Sequence, residues 1–168
     1  MTISMYQASI PVFLRALDNL VAIMDLGAAH AEAKKIDPLV LTGARLYPDM
    51  FPMSRQVQIA CDMVKGGAAR LAGIDPPPRA DTEKTFAELK ERIEWTAAFV
   101  RGVTAELVDG SEDRAIVIKT PFGELNFTGQ QYLLSFVLPN VYFHSTTAYN
   151  LLRHSGVELG KRVFLGPA

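Results

Sequence analysis

The stretch Thr120 to Gln131, T-P-F-G-E-L-N-F-T-G-Q-Q, decides how this chain is read. Pro121 and Gly123 are turn residues, and the segments on either side suit extended backbone. Ala115 to Lys119 is β-branched, whereas Glu124 to Phe127 alternates polar with apolar, so the pattern predicts a short β-hairpin. Thr128 followed three residues later by Gln131 is a capping box. It opens a helix carrying Tyr132, Phe136, Phe143, Thr147 and Leu151, which ends at Gly156. Pro139 predicts a kink within it, because proline has no backbone N–H and its ring crowds the preceding turn.

Upstream of the hairpin the apolar period changes from two to 3.6. Phe86, Leu89, Ile93, Ala97, Val100, Val103 and Leu107 line one face of a third helix, capped by Asp81 or Thr82 and ending at Asp109 and Gly110. Pro76, Pro77 and Pro78 form a stiff connector before it. A second helix starts at Pro52, carries Met53, Val57, Ala60, Cys61, Val64, Ala68 and Leu71 at helical spacing, and stops at Gly73. The first helix carries Phe13, Leu14, Leu17, Leu20, Val21 and Met24 and ends near Gly27. Its start is open, since Pro11 fits a first turn but would kink a helix begun at Ser4. Between Gly27 and Phe51 no period persists, although Leu39, Val40, Leu41, Leu46 and Tyr47 favour packing. The tail Gly160 to Ala168 holds Val163, Phe164 and Leu165, which can dock on the helices or on a second subunit. Helices of this number and length, joined by short connections, predict an all-α antiparallel four-helix bundle with a β-hairpin before the last helix.

The 168 residues predict one domain over 1–168 with one core. Hydrophobic residues make up 49% and charged residues 21%, and the net charge of −1 provides no electrostatic footprint for nucleic acid. No apolar run approaches the roughly 20 residues that span a bilayer. A single Cys61 allows no internal disulfide, and the N-terminus has no secretory pattern, so a cytoplasmic location is expected.

Strong catalytic motifs are absent: there is no G-x-S-x-G, H-E-x-x-H, C-x-x-C, Walker or dinucleotide fingerprint. Polar residues four apart on apolar helices remain, Gln58 with Asp62 on the second helix and Asn140 with His144 on the fourth. If these faces meet, a carboxylate, an imidazole and two amides converge in the interior, as bundle metal and substrate sites do. The competing reading is a core histidine held by an amide or by Asp62. Catalytic zinc usually takes three protein ligands, and only His144, one carboxylate and Cys61 are on offer. Cys61 points about 100° away from Asp62 and reads as a small buried hydrophobe. His154 suits the helix C-terminus, His30 an exposed connector, Lys161 and Arg162 a wet tail, and Trp95 packing or a dimer contact.

Two helices, a third, then T-P-F-G-E-L-N-F leading straight into a long helix: this succession resembles the DinB-like bundle superfamily. Arg45 to Gln58 (R-L-Y-P-D-M-F-P-M-S-R-Q-V-Q), Leu138 to His144 (L-P-N-V-Y-F-H) and Thr147 to Leu165 look like its uncharacterised branch, a domain of unknown function. The resemblance implies a divalent metal, Zn, Ni or Mn, held by one His on the second helix and an H-x-x-x-H pair on the fourth. Several members of the superfamily transfer thiol cofactors or isomerise their conjugates. Residue by residue, the second His of the pair would be His144, the one metal candidate; Asn140 stands in place of the first, and Gln58 or Asp62 near the place of the third. Two functions follow as expectations. One is a small-molecule-binding protein with a degenerate metal site; the other is a metal-dependent small-molecule transferase or hydrolase. The resemblance also implies a homodimer.

Overall fold

The computed structural model describes residues 2–167. In chain order it runs α1 (Met5–Lys34), α2 (Pro38–Thr42), α3 (Met53–Ala72), α4 (Phe86–Arg101), α5 (Ala105–Val108), β1 (Ala115–Thr120), β2 (Gly123–Thr128), α6 (Gly129–Gln131), a π-helical segment (Tyr132–Val137), α7 (Leu138–His154) and α8 (Lys161–Leu165). The long helices α1, α3, α4 and α7 enclose the core. The central α3 packs against α7 and α4, while α1 lies along α4 and meets α8.

The fold is mostly helical with one two-stranded antiparallel hairpin, and the hairpin forms where the turn residues place it. Ala115 pairs with Thr128 and Thr120 with Gly123, leaving Pro121 and Phe122 at the tip. Thr128 and Gln131 form the expected capping box. Downstream, the chain accommodates Pro139 without ending the helix: the turns before it widen into the π-helical segment, and the Leu138 N–H reaches back to the Leu133 carbonyl.

Three boundaries differ from the sequence reading. The first helix does not end near Gly27 but continues to Lys34, and it begins at Met5 behind a Ser4–Gln7 capping box. Pro11 lies inside it, so the Gln7 carbonyl lacks its usual helical donor. Gly27 is a point of close approach rather than a stop, because a Cβ there would sit 2.8 Å from the Phe86 ring. This places His30 in a helix rather than in a connector. The cap of the third helix is Thr85, in a capping box with Glu88, and not Asp81 or Thr82, whose segment is held by ion pairs described below. That helix ends at Arg101; Val103 lies in the link that follows, and Leu107 belongs to the separate α5. The tail docks on the protein: α8 lies against α1, where Asn19 and Arg15 donate to the Phe164 and Leu165 carbonyls.

Burial around α3 is nearly continuous from Met53 to Ala72, as its neighbours on several sides require. At Gly67 a Cβ would come 2.8 Å from Val137 and 3.0 Å from Phe13. Gly67→Val should therefore overpack this seam and lower stability by about 2 kcal/mol. Urea unfolding measures it; a midpoint at or above that of the wild type would show that the seam has room.

Candidate functional site

Arg92 lies on the apolar stripe of α4, beside Leu89, Ile93 and Thr96, and its side chain is 1% exposed. An isolated cation there would be strongly unfavourable, so partners are required. Asp62 of α3 accepts at 2.9 Å, Asp81 at 2.8 Å and Glu83 at 3.0 Å, and the Ala80 carbonyl accepts at 3.1 Å. Burial works against the guanidinium charge, yet Asp62, Glu83 and Asp81 outweigh it and hold the group above its ordinary value. The connector after the three prolines is thereby fastened to α3 and α4. Glu83, itself 5% exposed, also receives Arg79 at 3.2 Å and Gln58 Nε2 at 3.1 Å. Lys65 donates to Asp62 at 2.9 Å. Arg79 and Lys65 both stand over the Trp95 ring, at 5.1 and 5.8 Å from its centroid.

Gln58 and Asp62 do share a face of α3, and that face turns toward α4 and the connector. Gln58 lines a cleft of about 600 Å³ with Phe51, Arg55, Asp81 and Lys84. Asp62 lines a different one, about 380 Å³, with Arg70, Pro77, Tyr132 and Phe136. His144 meets another residue: its Nδ1 lies 2.7 Å from Gln56 Oε1. Gln56 precedes Gln58 by two positions, about 200° around the helix, and so faces α7. Asn140 is engaged locally, donating to the Phe136 carbonyl at 2.7 Å beside the π-helical segment. The four residues singled out from sequence therefore do not form one hydrogen-bonded cluster. The residues that sequence reading missed are Gln56, Arg92 and Glu83. Two of them left a signal, since Gln56 falls in the stripe Met53, Ala60, Val64 and Arg92 falls between Leu89 and Ile93.

The hydrogen-bond chain fixes the state of His144. Gln56 Nε2 donates to the Phe51 carbonyl at 3.1 Å, which turns Oε1 toward the imidazole. An amide oxygen only accepts, so Nδ1 carries the proton and Nε2 keeps its lone pair. Burial, and then the nearby charge of Arg55, hold the imidazole below its ordinary value and keep it neutral.

These donors do not fit a divalent metal. The carboxylates of Asp62, Asp81 and Glu83 surround a guanidinium, and the charge that acts on the imidazole is the Arg55 cation. Among the described residues no group of three or more His, Cys, Asp or Glu is placed to hold one. Cys61 is buried beside Thr96, and burial pushes its thiol up to about 12, so it packs as a small hydrophobe.

A family model described as a domain of unknown function (DUF1993) matches residues 5–165. The crystal structure of a DinB family member protein from Shewanella denitrificans is 41% identical, with a TM-score of 0.89 over 97% of this chain and 92% of that one. No curated protein matches the chain. Among the described residues no helix is long and apolar enough to cross a membrane.

Replacing Arg92 by Met should lower stability by about 1 to 3 kcal/mol, because buried Glu83 keeps only Arg79 and Gln58 as partners, while the half-buried Asp62 keeps Lys65. Adding Glu83→Gln to Arg92→Met should recover at least about 1 kcal/mol of that loss. Denaturant unfolding of both variants checks the order. A single variant as stable as the wild type would show that the cluster is not a constraint.

Proposed function

The chain belongs to the DUF1993 family, a DinB-like group, and from that premise we propose that it binds a small molecule without a divalent metal, with His144 at the centre of its site. The observation that carries this reading is the 2.7 Å contact between His144 Nδ1 and Gln56 Oε1. It leaves a neutral imidazole with its Nε2 lone pair available as a hydrogen-bond acceptor or base. Phe51 joins that histidine to the cleft carrying Gln58: its carbonyl accepts from Gln56, and its ring lies 5.8 Å from the Arg55 guanidinium. Arg55 in turn donates to Gln58 Oε1 and pairs with Asp81. A ligand in this cleft would meet the Phe51 ring, the Gln58 amide and the Arg55–Asp81 pair, with His144 linked to it through Gln56 and the Phe51 carbonyl. Asp62 anchors Arg92 in this reading, and Asn140 fixes the backbone beside Pro139.

The alternative is a metal-dependent transferase or hydrolase. It draws on the same contact, since a metal-bound histidine also donates its other N–H to an oxygen acceptor. It needs further ligands close to Nε2, and the amides at Gln56, Gln58 and Asn140 bring no charge and bind such ions weakly. A homodimer belongs to this proposal as well, with exposed Leu39, Val40, Tyr47 and Phe51 available as apolar area. Light scattering that gives a strict monomer would remove it.

Nitrogen-edited NMR of the His144 ring tests the site. The expected spectrum is the Nδ1-protonated tautomer, and small phenols and alcohols added as hydrogen-bond donors should shift His144 signals in the wild type. A ring protonated at Nε2, or donors that shift nothing, would contradict the reading.

The depressed basicity of His144 has a consequence for stability. The unfolded chain takes up this proton near pH 6.5, whereas the folded chain resists it. The contribution of His144 is therefore complete above about pH 6.5 and is lost as pH falls toward the lower folded value. In His144→Gln this part of the pH dependence should disappear, which thermal melts at pH 7.5 and 5.5 would read as a smaller drop than in the wild type.

A further inference from the structure

Between α1, α7 and α8 lies a cavity of about 240 Å³, distinct from the clefts around α3. Its walls are mostly apolar and include Leu20, Ile23 and Phe164; the polar groups on it are Ser145, Arg15, Asn19 and the edge of Tyr142. Ser145 is 4% exposed, and its Oγ has no hydrogen-bond partner. A hydroxyl inside a helix can bond the carbonyl four residues back. In this chain Ser9, Thr96, Thr147 and Ser155 all do so, bonding Met5, Arg92, Phe143 and Leu151. Ser145 makes no such bond and is the helical hydroxyl among the described residues that is buried without a partner, at a place where its helix borders this cavity. A buried hydroxyl without a partner is unfavourable, so the site suits an occupant that supplies one.

The lining also indicates the chemistry of that occupant. Ser145, Arg15 and Asn19 can all donate, and among the described residues no carboxylate lines the cavity. Among the described residues the Arg15 and Asn19 donors are engaged by neutral carbonyls of the tail: Arg15 reaches Leu165 at 3.0 Å and Pro167 at 2.8 Å, and Asn19 reaches Phe164 at 2.8 Å. A carboxylate is a stronger partner for a guanidinium than a carbonyl is. The tail is fastened by these contacts, by Val163 and Phe164 packing on the core with the Phe164 ring edge-on to Tyr149, and by the Tyr149 hydroxyl donating to the Leu159 carbonyl at 3.1 Å, while α8 contains no fully buried residue. Such a segment, partly buried and at the end of the chain's core, opens more readily than α1 or α7 and can close again over an occupant. For size, a cavity of about 150 Å³ holds benzene, so this one suits roughly ten non-hydrogen atoms.

We propose that this cavity is a second ligand site, taking a small monocarboxylic acid with a compact apolar body, and that residues 160–167 form the strap that closes it. The body lies against Leu20, Ile23 and Phe164, and the carboxylate accepts from the Ser145 hydroxyl and the Arg15 guanidinium. Binding exchanges the bonds from Arg15 to the strap for bonds to the ligand, so occupancy and strap position are coupled.

Benzoate is the probe and benzyl alcohol its uncharged counterpart, titrated by calorimetry and NMR into the full chain. Expected are saturable binding of benzoate to the wild type, binding weaker by about tenfold or more for benzyl alcohol, and a similar loss for benzoate in Ser145→Ala. Ser145→Ala should unfold at the wild-type midpoint or above it, because its hydroxyl has no bond to lose, and His144→Ala should keep benzoate binding. The proposal is overturned if the wild type shows no saturable binding below about 10 mM benzoate. It is equally overturned if benzyl alcohol shifts the NMR signals of Asn19, Ser145 and Phe164 at concentrations as low as benzoate does, if Ser145→Ala binds benzoate like the wild type or is destabilised, or if His144→Ala loses benzoate binding.

Discussion

A single guanidinium, that of Arg92, sets the terms for the rest of the interior. It sits on the apolar stripe of α4, where a charge is tolerated only if its partners come with it. Asp62 comes from α3, and Asp81, Glu83 and the Ala80 carbonyl come from the connector. The three prolines before that connector stiffen it, and Arg92 determines where its far end lands. Arg92 and Glu83 are the two members that lie out of solvent, while Asp62 and Asp81 reach them from the edge, so the cluster joins α3, α4 and the connector at one point. Burial of this kind is weak evidence for added stability, since an apolar replacement can do as well. Its effect is positional.

The same cluster determines what the site can be. Gln58 and Asp62 share a face of α3, and that face serves Glu83 and Arg92. The opposite side of α3 presents Gln56 to α7, and there His144 finds an amide rather than a carboxylate. The central helix therefore separates the carboxylates from the imidazole. With Arg55 as its charged neighbour, His144 stays neutral and offers a lone pair, while the carboxylates that would complete a metal site lie across α3 on Arg92.

Much of the fold was legible because its signals are local. The hairpin turn at Pro121 and Gly123, the capping box at Thr128 and Gln131, and the stop at Gly73 each depend on a few adjacent residues. Gly27 misled because a glycine marks a helix end and a close helix contact equally well, and only the packing of Phe86 tells them apart. Thr85 was passed over in favour of Asp81 because the pull of Arg92 on Asp81 is a tertiary effect. For the site, His144 was visible as a polar residue on an apolar face, but its partner was not. The i, i+4 spacing of Gln58 and Asp62 shows that they share a face and says nothing about which helix that face meets. Gln56, two residues earlier, lay within the core stripe and was the better candidate for that reason. Ser145 carried no sequence signal at all: its missing hydrogen bond exists only once α7, α1 and the tail are assembled.

The account rests on the claim that the carboxylates are committed to Arg92 and that His144 works without a metal. The most direct test is metal analysis of the chain purified without a histidine tag, before and after dialysis against zinc, nickel and manganese, with His144→Ala alongside. The account predicts no stoichiometric metal in either protein under any of these conditions. One metal ion bound per wild-type chain, and lost in His144→Ala, would contradict it.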